Sequence, residues 1–542
     1  MPWAFQTADQ QPMTEVRAPI PTTTHHKTAW VWGGALTVAL CLLFMIGTPS
    51  APFWLVSSAL LLTWWLWAFK HLLPAFACLV FVWVTVYARA SIPMLQVEGG
   101  SHRGGLLLGD LMWLLFMLAW TTVQLRSRRG RLSTALTSTT IISIPLVAYV
   151  LLSILLPLAG ILLYSYPFSY ITPSIRLLQL VAFSVLTYQM IKTYGWTTVM
   201  QYLLWTLAIS GLANAVQALL QILVTMNIAP KEYVVLDRIY AERFQRNVFY
   251  YPRTTGLWVS PMQYGPFGMF LLLTVEALRL AGVPVNKGLK ILLYFSSLFA
   301  LLTSASRAGV GGAALGLLAI YCVMFVRAIT SCNTAVLFNL ALHLLKVALT
   351  IGLAVLISIL VLPKMLVDRI TLMGIVLLHG AQQDPNASVR LDLWHKALDT
   401  YEQEYIWGTL IPPSFVARDY VGDYIHNFYI DSIVQGTPLY LFVFLFFLVL
   451  TLWRGWQMCT GSSSAPMVAS GLAVIGAAVG LAFVQLTDNK IHMAQFWIPV
   501  GFALMRQGRW DESYTSRQGF PTAAQKHSLR SKLYDSAAVD GR

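Results

Sequence analysis

The feature that most constrains the fold of this chain is a series of apolar stretches, each about 20 residues long, that recurs from residue 29 to residue 506. An α-helix of that length spans the roughly 30 Å hydrocarbon core of a bilayer. Because backbone exposed to lipid must satisfy its hydrogen bonds within its own segment, each stretch has to be helical. The sequence therefore predicts an all-α polytopic integral membrane protein with about 12 to 14 transmembrane helices.

The apolar windows favour the upper end of that range, about 14 spans. The predicted spans lie near 29–47, 53–69, 72–90, 105–125, 139–163, 174–191, 199–226, 257–279, 289–305, 308–326, 340–362, 428–453, 466–486 and 491–506. The composition agrees, because 57% of the 542 residues are hydrophobic and only 11% are charged, whereas about a quarter of the residues in a soluble domain are charged. A cytosolic enzyme, a nucleic-acid-binding protein, a secreted disulfide scaffold and a disordered chain are all excluded.

The Lys and Arg residues of the short loops predict the orientation, since cytoplasmic loops are enriched in both. With the N-terminus inside, most loop cations fall on the cytoplasmic side, and they account for most of the formal net charge of +14. Residues 1–28 are then a cytoplasmic N-terminal segment, 29–506 the transmembrane domain and 507–542 a polar, mostly disordered cytoplasmic tail. Both termini are predicted to be cytoplasmic.

Two connecting segments are too long to be simple turns, and both fall on the side opposite the cytoplasm, here called the outer side. They are residues 227–255 and 363–427. Long irregular segments in a compact protein usually carry function. Within the second loop, residues 388–405 place Val389, Leu393, Ala397 and Tyr401 on one stripe at a spacing of four, which predicts an amphipathic helix.

Three arginines lie at the predicted outer boundary in distinctive local strings. Arg253 stands in RTTGLWVSP, Arg307 in SASRAG between two spans, and Arg390 in RLDLW at the start of the loop helix. The planar guanidinium fork matches phosphate oxygens in two-point contacts, so three such groups together could hold a diphosphate at the depth of a lipid headgroup. For each arginine alone, an interfacial or salt-bridged structural role stays the alternative.

His426, in HNFY at the end of the second loop, is the candidate for proton transfer, because the ordinary pKa of histidine lies near neutral pH. A structural histidine beside a helix start is the alternative. His379 and His395 share the loop, and His395 follows Trp394 as a predicted surface residue. A metal site at Asp419 and Asp423 is only weakly indicated, and no metal or cofactor is predicted.

Taken together and in order, these strings resemble the O-antigen ligase and polymerase superfamily of membrane glycosyltransferases. The matching strings are Arg253 with Gly256 and Pro261, Ser306-Arg307, Arg390 with Trp394 and Gly408, and His426-Asn427 with Gly436. The resemblance covers residues 200–506. Departures from the family pattern occur after Pro261, where Met262 and Gln263 follow, and around Gly408 and Pro438, which leaves acceptor recognition open.

The resemblance implies a fold like that of the large C-type glycosyltransferases. It also implies transfer of a glycan from a polyprenyl (undecaprenyl) diphosphate carrier to an acceptor hydroxyl, on the outer face of the bacterial cytoplasmic membrane, with inversion and without a metal. His426 is then the general base, and Arg253, Arg307 and Arg390 bind the diphosphate, with Asn427, Asp423 and Trp394 around them. The implied partners are the lipid-linked glycan donor, a glycan or lipid-glycan acceptor, and membrane lipids, with no nucleic acid.

Two other classes of function remain open at this stage. One is a flippase or other transporter of lipid-linked oligosaccharides, although transporters tend to place ionisable residues near the middle of the bilayer. The other is a non-catalytic scaffold of an envelope assembly complex, in which the outer arginines would tolerate single replacements. Within the superfamily, ligase, polymerase and protein-directed transferase share one donor site and differ in the acceptor.

Overall fold

A computed structural model of the chain describes most of its helical residues. The described residues are 23–46, 50–85, 108–127, 142–166, 171–225, 228–229, 254–258, 261–331, 385–404, 410, 427–462, 464–487 and 493–505, together with eight isolated helical positions between 338 and 360. Throughout these residues the secondary structure is α-helix with short turns, without any strand.

The helices are numbered α1 to α14 in chain order. Their bounds are α1 Thr23–Ile46, α2 Ala51–Lys70, α3 Leu72–Thr85, α4 Leu108–Ser127, α5 Ser143–Tyr164, α6 Thr172–Tyr194, α7 Trp196–Thr225, α8 Pro261–Leu280, α9 Lys287–Ser304, α10 Arg307–Thr330, α11 Pro385–Glu404, α12 Phe428–Thr460, α13 Ala465–Thr487 and α14 Ala494–Ala503. In the described part of the chain, nine helices are long and apolar enough to cross a membrane, and two shorter apolar helices lie at 28–44 and 72–85.

The protein is therefore an all-α, multi-pass membrane protein, as the sequence predicts. Each predicted span corresponds to a helix, except 340–362, where only the isolated positions are described, all of them helical and exposed. The amphipathic loop helix is also present, as α11, and Ala397 on its predicted stripe is fully buried. Large apolar side chains on α2 and α5, such as Leu55 and Leu162, are exposed and form surface suited to lipid.

Two of the helix boundaries that differ from the predicted spans have a physical explanation. The span predicted at 257–279 begins only at Pro261, because residues 254–258 form a turn in which Gly256 has a φ of 57°. The span predicted at 428–453 continues to Thr460 and is not straight. The mean hydropathy of a sequence window predicts neither the turn before Pro261 nor the bend in the helix that begins at Phe428, since both segments remain apolar.

The helix α12 bends sharply near its start. The rings of Phe428 and Phe444 lie 4.6 Å apart, although 16 positions along a straight helix would separate them by about 24 Å. Pro438 lies inside the helix between them, and an interior proline removes a backbone hydrogen bond and kinks a helix. The first turns of α12 thus fold back against its own membrane-spanning part.

Close glycine contacts hold α13 at the centre of the bundle. A Cβ added to Gly316 of α10 would lie 2.9 Å from the carbonyl oxygen of Gly476, and one added to Gly312 would lie 3.0 Å from that of Gly480. On the other face of α13, a Cβ on Gly455 of α12 would lie 3.0 Å from the Gly471 oxygen. Small residues spaced four apart permit this backbone approach, as in other membrane helix pairs.

A buried carboxylate joins three helices at the end of the bundle away from the α9–α10 turn. Glu276 of α8 is 2% exposed and pairs with Arg279, with 3.0 Å between Oε2 and Nε. Tyr294 of α9 donates to Oε1 at 2.6 Å, and Tyr321 of α10 donates to Oε2 at 3.3 Å. Because several donors compensate the buried charge, the network fixes α8, α9 and α10 relative to one another.

Candidate functional site

The last turns of α13 bring two of the predicted strings to one end of the bundle. On one side the Tyr429 hydroxyl, two residues after Asn427, donates to the carbonyl oxygen of Ala482 at 2.8 Å. On the other side Gly311, one turn after Arg307, faces Phe483 so closely that an added Cβ would overlap its ring. The start of α10 and the start of α12 therefore flank the same end of α13.

Two amide side chains of α7 hold the turn that follows Arg253. Gln221 accepts from the backbone N–H of Thr255 at 2.8 Å and of Gly256 at 3.3 Å, and its Nε2 donates to Thr255 Oγ1 at 2.9 Å and Gly256 O at 3.1 Å. Asn214, two turns earlier on α7, accepts from the Leu257 N–H at 2.8 Å. All of these groups are wholly or partly buried, so the path of residues 255–257 is fixed from α7.

A second connection joins this turn to α9. The Thr254 N–H donates to the Thr303 carbonyl at 3.1 Å, and the Thr254 hydroxyl donates to the Thr303 hydroxyl at 2.7 Å. Thr303 in turn donates to the Phe299 carbonyl at 2.8 Å. Both threonines are at least 97% buried. The residue after Arg253 is thus bonded to the last turn of α9, four positions before Arg307.

The turn between α9 and α10 is the tight break that the sequence predicts. Ala305 adopts a left-handed conformation with a φ of 45°, and Ser306 caps α10 by accepting from the Gly309 N–H at 3.2 Å. Arg307 is the first helical residue and is partly buried. Arg307 therefore stands at a helix N-terminus, where the backbone N–H groups favour an anion.

The start of α8 packs directly on this turn. Gly265 faces the side chains of Ser304 and Ser306, and a Cβ added to Gly309 would lie 2.6 Å from the carbonyl carbon of Gly265. Neither glycine could carry a side chain without displacing backbone. The string that contains Pro261 and the string that contains Arg307 therefore meet here, and Thr254 of the first string is also bonded to Thr303, immediately before the second.

Asn427 begins the third string as the N-cap of α12. Its side chain accepts from the N–H groups of Tyr429 at 3.0 Å and Ile430 at 3.2 Å, which is the usual N-cap arrangement. Asp431, in the first turn of the helix, is fully buried. The Asn427 side chain therefore satisfies backbone N–H groups in the first turn of α12.

Arg390 and Trp394 lie on α11, and both are partly buried. Their spacing of four places them on one side of that helix, and α11 packs against α12. His395 is exposed, as predicted. Arg253, His426 and Asp423 lie outside the described residues, so their predicted roles stay predictions. Apart from α11 and Leu410, the second outer loop also lies outside the described residues.

Three buried polar residues at this end received no predicted role: Asn214, Gln221 and Asp431. An acidic residue inside an apolar span, such as Asp431, is a signal for function in itself. The two amides stand seven positions apart on α7, which places them on one helical face, but nothing in the local sequence identifies their partner.

Within the described part of the chain, no three His, Cys, Asp or Glu side chains gather as a bound metal ion would require. Comparison of the sequence with models of protein families and with characterised proteins finds no match to either.

Proposed function

We propose that this protein is a membrane glycosyltransferase that transfers a glycan from a polyprenyl diphosphate carrier to an acceptor hydroxyl. It would act as an O-antigen ligase or a surface-polysaccharide polymerase at the outer face of the bacterial cytoplasmic membrane, with both termini in the cytoplasm. The observation that carries the proposal is the Thr254–Thr303 junction, which binds the residue after Arg253 to the turn that precedes Arg307.

The electrostatics of this junction support a diphosphate ligand. Arg307 at the start of α10 and Arg253, covalently next to Thr254, bring two permanent cations to neighbouring segments of chain. Arg390 adds a third cation from α11, which packs on α12. A diphosphate anchored at headgroup depth is an anion whose oxygens several guanidinium groups can contact at two points each.

The proposed reaction divides the chemistry between the arginines and His426. The acceptor oxygen attacks the anomeric carbon while the bond from that carbon to the diphosphate oxygen breaks. Fixed guanidinium groups stabilise the charge that develops on the departing polyprenyl diphosphate. His426 takes the proton of the acceptor hydroxyl, and the new glycosidic bond has inverted configuration.

The decisive experiment is product analysis with the purified protein in detergent. One lipid-linked glycan donor is offered with separate acceptors, namely a lipid A core glycan, a second donor molecule and a peptide. Transfer to any of them supports the proposal and names the acceptor class. A flippase or a scaffold would give no glycan product, because neither joins a glycan to an acceptor. Detergent micelles also have no transmembrane gradient that could drive transport.

Replacing Arg307 with lysine should lower transfer about 10- to 100-fold, because a lysine point charge cannot reproduce the two-point contact of the guanidinium fork. The measurement is the initial rate at saturating acceptor with varied donor. Arg126→Lys, an exposed arginine at the end of α4, is the matched control and should retain the wild-type rate. An Arg307→Lys rate equal to wild type would contradict diphosphate contact.

A further inference from the structure

We infer that Gly265 is a positioning residue for Arg307 in diphosphate binding. The inference rests on the proposed function and adds to it, because Gly265 does not belong to the strings that carry the resemblance. Gly265 would not touch the donor. It would act by fixing the backbone of Ser306, the residue that immediately precedes Arg307, and thereby the point from which the guanidinium group extends.

The first step is the closeness of α8 to the turn that precedes α10. A Cβ added to Gly265 would lie 2.4 Å from the Cβ of Ser306 and 2.9 Å from the hydroxyl oxygens of Ser304 and Ser306. A serine hydroxyl can rotate about χ1, but a Cβ is fixed to its own Cα. Because atoms in ordinary contact are at least 3.4 Å apart, the backbone of Ser306 would have to move by about 1 Å.

The second step is that α10 holds Ser306 from the other side. The Ser306 hydroxyl accepts from the Gly309 N–H at 3.2 Å, and its carbonyl accepts from the Val310 N–H at 3.0 Å. Gly309 also packs on Gly265, since an added Cβ would lie 2.6 Å from the Gly265 carbonyl carbon. The N-cap of α10 is therefore enclosed between two glycines, and Arg307 follows it as the first helical residue.

The third step is the geometry that the proposed ligand requires of Arg307. A guanidinium group contacts a phosphate at two points only when the plane and direction of its fork match the phosphate oxygens. A displacement of about 1 Å in a positioning group can lower turnover by about 100-fold. The movement that a side chain at Gly265 would impose on Ser306 is of this size, so the absence of a Cβ at Gly265 matters for Arg307.

The test compares two glycines of α8 that lie about one helical turn apart. Gly265→Ala should weaken binding of undecaprenyl diphosphate in detergent about tenfold. Gly268→Ala is the matched control, because a Cβ there would lie 2.8 Å from the Ala300 Cβ and 2.9 Å from the Ser297 carbonyl oxygen. It would displace α9 rather than Ser306. We expect Gly268→Ala to lower thermal stability at least as much as Gly265→Ala, with donor binding near that of wild type.

Two combined variants separate positioning from a general loss of structure. Ser306→Gly in the Gly265→Ala protein removes both Ser306 atoms that the new methyl group would meet, and glycine is tolerated at a helix N-cap. This pair should restore donor binding. In an Arg307→Lys background, Gly265→Ala should weaken binding no further, because the two-point contact is already lost.

Several results would overturn the inference alone. They are wild-type binding by Gly265→Ala, equal weakening of binding by Gly265→Ala and Gly268→Ala, an equal effect of Gly265→Ala with and without the Arg307 guanidinium, and no restoration by Ser306→Gly. If Gly265→Ala is not recovered folded, Ser306→Thr adds a methyl group to the same enclosed space while keeping the cap hydroxyl, and the same pattern is expected. If Arg307→Lys binds undecaprenyl diphosphate as tightly as wild type, the proposed donor site itself is wrong and the inference fails with it.

Discussion

Replacing Gly316 with valine should prevent the protein from being recovered as a monodisperse species in detergent. An added Cβ would lie 2.8 Å from Leu273 Cδ1 and 2.9 Å from the backbone oxygen of Gly476. The leucine side chain can rotate away, but the peptide oxygen of α13 cannot. Overpacking a rigid contact costs about 1–3 kcal/mol or more, and α13 is the helix against which both α10 and α12 pack.

The expected defect is measured by size-exclusion chromatography and thermal unfolding of the solubilised protein. Gly34→Val is the matched control, since a Cβ added to Gly34 of α1 has no neighbour within 4 Å. Gly316→Ala should be intermediate, because it adds the clashing atom without the two methyl groups. Equal stability of Gly316→Val and Gly34→Val would show that α10 and α13 can separate without loss of the fold.

The helices of this protein follow from the sequence because the bilayer sets their length and character. Any run of about 20 apolar residues must be helical in lipid, and the observed helices occur where such runs stand. The α9–α10 turn was predictable for a related reason, since Ser304 to Gly309 place small and polar residues between two apolar runs.

The internal arrangement of the candidate site depends on contacts between distant parts of the chain. Gln221 is hydrogen-bonded to Thr255, 34 positions along the chain, and Asn214 to Leu257, 43 positions along. The hydrophobic periodicity of the sequence predicts neither hydrogen bond. The bend of α12 was missed because Phe428 and Phe444 both belong to one apolar run. Their contact, at 4.6 Å, is made by tertiary packing.

Replacing His426 with alanine is expected to lower glycan transfer about 10²- to 10⁴-fold, the usual contribution of a general base. Binding of the donor diphosphate should persist, because the arginines remain. The rate of the wild-type protein should rise with pH as the imidazole loses its proton, and this dependence should disappear in the variant. The measurement is initial rate against pH with the donor and acceptor identified by product analysis.

His395→Ala is the appropriate control for this experiment. That histidine is exposed on α11 and belongs to the same predicted outer loop, so its removal changes composition and local charge in a comparable way. If His395→Ala abolishes transfer while His426→Ala does not, the base lies on α11. If both variants transfer at the wild-type rate and the arginine variants do not, proton removal needs no histidine. The fixed charge that stabilises the leaving diphosphate would then account for most of the acceleration.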